Sequence, residues 1–248
     1  MFAQDKGQRM NIETAVKNLR EVKDVFDRNN VTFWLDSGIL LGAVRDRKMI
    51  KGDTDIDLGT WYCELNKIVL TFSEFKKRGF DVVLNKKWTC ITLQRFRFNI
   101  NVELYHERYR YAWRVWRVVK SGIFISVLER CVNISNLRVY AKQKVTSAQK
   151  IKNLSSLLPS TLKQLVTDTA WLALHRLGCM VPEIIPKHYF ETLSTMQFYE
   201  MEFCIPSDVK KYLEYRYGGD WETPKEEWLY YRDDGARAPD WDWLCFEV

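Results

Sequence analysis

The sequence predicts an α+β (α/β) chain, with strands and helices alternating through its first half and a mostly helical second half. Two observations carry that expectation. Short β-branched and aromatic runs, such as Val31-Thr32-Phe33-Trp34-Leu35, stop at turn residues and give way at once to helix-forming stretches. Other stretches repeat apolar residues at helical spacing, which suits helices that lay one face on a sheet.

The elements follow in chain order. Residues 10–29 place Ile12, Val16, Leu19, Val22, Val25 and Phe26 on one face of a helix that shields the sheet. The strand at 31–35 ends at Asp36, Ser37 and Gly38, and residues 39–45 continue as a helix that starts at Ser37 or Gly38. Free backbone N–H groups at such a terminus attract anions, so Asp36, Ser37 and Gly38 are candidates for binding a phosphate. Strand alternation next sets Asp53, Asp55 and Asp57 on one face, with Thr54, Ile56 and Leu58 on the other. Three such carboxylates repel one another unless a cation neutralises them, and hard oxygen ligands suit Mg²⁺ or Mn²⁺ better than Zn²⁺. A calcium loop of the EF-hand type is excluded, because its sixth position requires glycine where a loop starting at Asp53 has Leu58.

Residues 68–78 suit a further helix, and 80–84 and 89–93 suit strands that lead into Ile100-Asn101-Val102-Glu103-Leu104-Tyr105. From Arg108 to Lys152 eleven basic residues face Glu129 alone, a local charge of +10 in a chain that carries +6, so the remainder is net acidic. Within this stretch Ala112, Val115, Trp116, Val119 and Ile123 fall on one helical face and Arg110, Arg114, Arg117 and Lys120 on another. A cationic helix of this kind either shows its basic face to solvent or rests on anionic lipid headgroups. No nucleic-acid reader motif accompanies the charge, so nucleic acid is not an expected partner. Residues 160–177 suit a helix closed by Gly178, and Ser207 or Asp208 caps another over 209–217, closed by Gly218-Gly219.

The run Trp34 to Gly59, "WLDSGILLGAVRDRKMIKGDTDIDLG", resembles the core of the LicD/fukutin family, whose members include phosphocholine and ribitol-phosphate transferases. The segment from Tyr217 to Pro224 is similar to the Tyr-Gly-x-Asp-Trp-x-x-Pro element that ends the family's domain. The resemblance implies a nucleotidyltransferase-like mixed β-sheet flanked by helices, with a third acid supplied by a neighbouring strand. Glu103 is its counterpart here, with His106 and Glu107 as fallbacks. It further implies catalysis by Asp55, Asp57 and Glu103, with Mg²⁺ or Mn²⁺ held by Asp53, Asp55, Asp57 and Glu103. Arg45 or Lys51 would neutralise a phosphate oxygen beside Asp36, Ser37 and Gly38. The implied reaction moves a phospho-alcohol group from a CDP-linked donor to a sugar hydroxyl of a cell-surface glycan or glycolipid precursor. Nucleotide transfer from an NTP to a small molecule or protein is the alternative, and a catalytically silent binding protein the second. One departure concerns the loop, where many bacterial relatives carry Pro-Trp-Asp-Asp-Asp and this chain has Lys51-Gly52-Asp53-Thr54-Asp55.

Composition suits one domain over residues 1–248, with a catalytic core at about 10–107, the basic region at 108–152 and a helical part at 153–248. Residues 1–10 are polar, and no apolar run reaches the length of a membrane span, so a cytoplasmic protein is expected, in contact at most with the inner face of the membrane. The six cysteines form no Cys-x-x-Cys pair and are expected as reduced thiols, which makes the sequons at Asn30, Asn133 and Asn153 chance matches. His106, His175 and His188 have no metal-binding spacing.

Overall fold

A computed structural model describes residues 12–96, 98–118, 120–141, 159–225 and 227–238. Helix α1 (Ile12–Arg28) buries Ala15, Leu19, Val22, Val25 and Phe26, the face its apolar spacing defines. Strand β1 (Phe33–Leu35) passes directly into α2 (Ser37–Arg45), and β2 (Asp55–Trp61) returns antiparallel to β1. A 3-10 turn and α3 (Leu65–Lys77) lead to β3 (Asp81–Asn85), β4 (Cys90–Arg95) and the long β5 (Phe98–Arg108).

Strand β5 lies parallel to β2, with Asp55 opposite Asn99, Asp57 opposite Asn101 and Gly59 opposite Glu103. Its other edge pairs antiparallel with β4, giving the mixed order β1-β2-β5-β4-β3. Because a parallel pair sets matched residues on the same face, Asp55, Asp57, Asn101 and Glu103 all project to one side. Gly59 is required opposite Trp34, whose indole occupies the space that a Cβ would need. Trp34 itself is fully buried and stacks on Phe190, with ring centroids 4.7 Å apart.

The expected cationic helix over 110–123 is instead β6 (Tyr111–Arg117), which forms a hairpin with the end of β5. The physical reason lies in Tyr111-Ala112-Trp113-Arg114-Val115-Trp116, whose aromatic and β-branched residues fit a pleated surface better than a helix. Ala112, Trp113, Arg114 and Val115 are all buried, so Arg114 contributes nothing to a basic surface. Helix α4 (Ile123–Val132) and strand β7 (Leu137–Val139) follow, β7 pairing with β3 at the far edge of the sheet. Lys142, Lys144, Lys150 and Lys152, the rest of the basic stretch, lie outside the described residues.

Helix α5 (Ser160–Arg176) agrees with its expected span. Helices carry more of the described C-terminal residues than strands do, but three strands stand beside them. Strand β8 (Met180–Pro186) pairs along the whole of β6, and α6 (His188–Glu191) leads to the hairpin of β9 (Leu193–Phe198) and β10 (Met201–Pro206). Pro182 and Pro186 obscured β8 in the sequence, and its position beyond β6 is one where missing N–H groups are tolerated. Helices α7 (Val209–Tyr217) and α8 (Tyr230–Asp233) complete the described chain. Asp208 caps α7 through Lys211 N, and Gly218 closes it at φ +89°.

A main core runs from α1 through the sheet to α7. A second joins Trp113 and Val115 to Val132, Trp171, Leu174 and Met180, between the β6–β8 pair and helices α4 and α5. No helix among the described residues is long and apolar enough to cross a membrane.

His106 is held between Tyr62 and Trp113, with ring centroids 4.2 and 4.7 Å away. Burial pushes its pKa from 6.5 down to about 4. In the unfolded chain the imidazole protonates near its ordinary value, so its contribution to stability is present above that pH and is lost on acidification towards the folded value. Denaturant titrations across this window should show a loss of about 2 kcal/mol from this side chain. His106→Phe, which keeps the ring stack, should remove that part of the slope.

Candidate active site

The site begins where β1 turns into α2. Asp36 is the N-cap, and its carboxylate accepts from Ser37 N at 2.8 Å while its own N–H donates to Asp57 O at 3.1 Å. These bonds fix the start of α2 against β2. A Cβ at position 38 would lie 2.7 Å from Asp53 Oδ2, so a larger residue there would push that carboxylate aside. Asp53 therefore rests against the first turn of the helix, reaching in from the loop that precedes β2, while Asp55 and Asp57 project from the strand itself.

The Asn101 amide donates to both strand carboxylates, at 3.0 Å to Asp55 Oδ2 and 3.2 Å to Asp57 Oδ1. Burial and the charge of Asp55 raise Asp53 to about 6. Burial also raises Asp55, and it drives Asp57 well above the carboxylate range with help from Asp55 and Glu103.

Among the described residues, no group of three or more His, Cys, Asp or Glu side chains is arranged to hold a metal ion by itself. Magnesium does not need one, because it commonly binds through one or two carboxylates and completes its shell with water and substrate phosphate. The pair Asp55 and Asp57, bridged by a partly positive amide hydrogen donor and raised in pKa, fits that mode.

A cavity of about 1020 Å³ opens over this pair. Ser37, Gly38, Asp53, Asp55 and Asp57 line one wall, with Arg45 and Lys51 at its side. The opposite wall is aromatic, formed by Trp116, Tyr217, Trp221, Trp228 and Tyr230 together with Lys225. Tyr217 packs on Trp228 and Trp116 on Tyr230, at 4.8 and 4.9 Å between centroids. Lys225 Nζ is held by Tyr217 O and Asp220.

Several expected residues sit differently from their sequence reading. Asp36 is fully buried behind the helix terminus and does not line the cavity. Tyr105 and Tyr212 donate to its two oxygens at 2.7 and 2.9 Å, and Arg114 and Arg216 stand 3.7 and 3.5 Å away. Burial alone would raise Asp36, yet the two arginines and two hydroxyls hold it below the usual value. Glu103 faces the same side as Asp57, but its carboxylate is paired with Arg114 Nη1 at 2.8 Å, and Asn101 takes the place beside the aspartates. Arg45 makes a forked ion pair with Asp46, whereas Lys51 is exposed beside Gly52. Glu107 pairs with Lys187 on the surface.

The sequence reading missed the buried frame behind the site. Arg114 Nε meets Glu183 at 3.0 Å, and Arg216 Nη1 meets the other Glu183 oxygen at 2.9 Å. Asp234 grips Arg216 through Nε and Nη2, the latter at 2.6 Å, and the Trp116 indole also donates to Glu183. Tyr212 and Arg216 carry a legible signal, being four apart and so on one face of α7. Asp234, in a turn-like Asp-Asp-Gly, carries none.

The model of the family described as LicD/FKTN/FKRP, nucleotidyltransferase domain, matches residues 30–157, more than half of the chain. The chain belongs to this family. The match spans Asp36, Asp53, Asp55, Asp57 and Glu103. An uncharacterized protein of Rickettsia typhi is 32% identical over 87 residues, which are 34% of this chain and 28% of that protein. An uncharacterized protein of Rickettsia prowazekii is 28% identical over 80 residues, 30% of each. The chain thus matches less than a third of the length of these curated relatives. Among solved structures, the antibiotic-resistance factor ANT(2'')-Ia overlaps loosely, with a TM-score of 0.35 and 10% identity over 67% of this chain and 96% of that one. A crystal structure of ANT(2'')-Ia in complex with adenylyl-2''-tobramycin gives 0.34 and 12%, over 64% of this chain and 98% of that one.

Asp234→Ala strips Arg216 of its forked partner and leaves a buried guanidinium half matched, which should cost about 3 kcal/mol. Tyr212→Phe should cost only about 1 kcal/mol, since Asp36 keeps Tyr105 and Ser37 N. Equilibrium urea unfolding of the two variants checks the ranking, and equal small losses would mean that the frame does not carry the C-terminal segment.

Proposed function

We propose that this LicD-family chain is a metal-dependent transferase that moves a phospho-alcohol group from a CDP-linked donor to a sugar hydroxyl of a glycan or glycolipid precursor. The observation that carries the reading is the shared cavity of Asp53, Asp55 and Asp57 with the N-terminus of α2. Asp55 and Asp57 would hold Mg²⁺ or Mn²⁺, and a bound cation would offset charge on the diphosphate.

The chain's own groups divide the remaining work. Backbone N–H groups at the start of α2 receive phosphate oxygens, aided by the helix dipole. Gly38 keeps the approach open, and Asp36 holds the terminus in place from behind. Lys51 lies at the cavity's side, where a flexible ammonium can meet a phosphate oxygen. The aromatic wall offers flat apolar faces for a base or a sugar ring and excludes water from the phosphate. Glu103 serves this site through Arg114, which it fixes beneath Ser37.

The test is to incubate the protein with CDP-choline, CDP-glycerol, CDP-ribitol and NTPs, each with and without Mg²⁺, and to separate nucleoside monophosphate from pyrophosphate. Metal-dependent release of the monophosphate from one CDP-alcohol is expected. Asp57→Asn, which keeps the shape of the side chain, should lower that rate at least about 100-fold. Pyrophosphate from an NTP would make the chain a nucleotidyltransferase instead, and no metal-dependent turnover or binding would leave a silent binding protein.

A further inference from the structure

Helix α4 is apolar on two sides. Ile125, Leu128 and Val132 turn inward onto the second core, while Ile123, Phe124 and Val127 point outward, 88, 64 and 48% exposed. Helix α5 repeats the arrangement, with Ala170, Trp171 and Leu174 buried and Leu162, Leu165 and Leu172 exposed. The two helices run antiparallel. Lys120 Nζ, just before α4, donates to Leu177 O, just after α5, at 2.7 Å, and Thr167 Oγ1, midway along α5, donates to Cys131 O near the end of α4.

The charges of the pair are one-sided. Lys120, Arg130, Lys163 and Arg176 are basic, whereas its acids are matched from outside it, Glu129 by Arg117 at 2.6 Å and Asp168 by Lys87 at 3.0 Å. Exposed aliphatic and aromatic groups of this size usually mark a contact surface.

We propose that the α4–α5 pair docks on an anionic lipid surface. A bilayer asks for no matching shape, only apolar side chains that enter the acyl boundary and cations that stay among the headgroups. Ile123, Phe124, Val127 and Leu165 supply the first, and Lys120, Arg130, Lys163 and Arg176 the second. The positive balance selects anionic over neutral lipid. This surface replaces the helix expected over 110–123, whose Arg114 is buried, and it is independent of the chemistry in the cavity.

The test is co-sedimentation of the full chain with vesicles of phosphatidylcholine, with and without phosphatidylglycerol, at low and high salt. Binding to the anionic vesicles alone, weakened by salt, is expected. The double variant Ile123→Ser/Phe124→Ser should lower that binding at least about tenfold without shifting thermal unfolding, because both side chains project into water. Arg130→Glu should weaken it too. Absence of binding to either vesicle, or equal binding to both, would overturn the proposal. So would a dimer in solution that the double variant dissociates, which would make the surface an interface between two copies of the chain.

Discussion

Asp36 carries a constraint on which the rest of the site depends. Its carboxylate is removed from water, and an ionised group in that position survives only where every lone pair has a partner. The partners come from distant pieces of chain: Ser37 N on α2, the Tyr105 hydroxyl on β5 and the Tyr212 hydroxyl on α7, with Arg114 and Arg216 close behind. One side chain thus ties the start of α2 to β5, β6 and α7. Turning Asp36 outward would lose the cap and leave two arginines short of a carboxylate.

The frame behind Asp36 is itself unbalanced. Four buried carboxylates, Asp36, Glu103, Glu183 and Asp234, share two guanidinium groups, and Asp55 and Asp57 lie on the same side of the sheet as Glu103. Neutral donors on Tyr105, Tyr212 and Trp116 ease the surplus, and burial raises Glu103 against the pull of Arg114. Stability alone would favour fewer acids here. A surplus of negative charge beside a cavity is the arrangement that a bound divalent cation would relieve, which supports the reading of Asp55 and Asp57 as its ligands.

The sequence made the α2 and carboxylate side of the cavity legible because its parts are local. Asp36, Ser37 and Gly38 lie at one strand-to-helix turn, and Asp53, Asp55 and Asp57 within a few residues of one another. Strand alternation set Asp53, Asp55 and Asp57 on one face and the resemblance added Glu103 from a neighbouring strand, but neither showed that Asn101 bridges Asp55 and Asp57. Arg114 was misread for a physical reason. A charged residue in an amphipathic-looking run suggests a solvated face, and only the pairing of β6 with β5 and β8 carries it into the interior. Glu183 was hidden between prolines that argue against a strand, and Asp234 meets Arg216 through a fold-back that no local pattern encodes.

The two walls of the cavity differ in chemistry and, in part, in where their residues lie along the chain. The family match ends at residue 157 and holds the carboxylates, the α2 terminus and Trp116, whereas Tyr217, Trp221, Lys225, Trp228 and Tyr230 lie beyond it. On the proposed function, phosphate and metal would ask for the same donors whatever alcohol is carried. Discrimination between substrates would then fall to groups that touch the rest of the molecule, which here are aromatic faces set by the packing of Tyr217 on Trp228 and Trp116 on Tyr230. Arg216 joins the walls, since it lines the cavity while Asp234 and Glu183 hold it in place. The wall that would set specificity is thus positioned by the same buried charges that hold the wall that would bind phosphate.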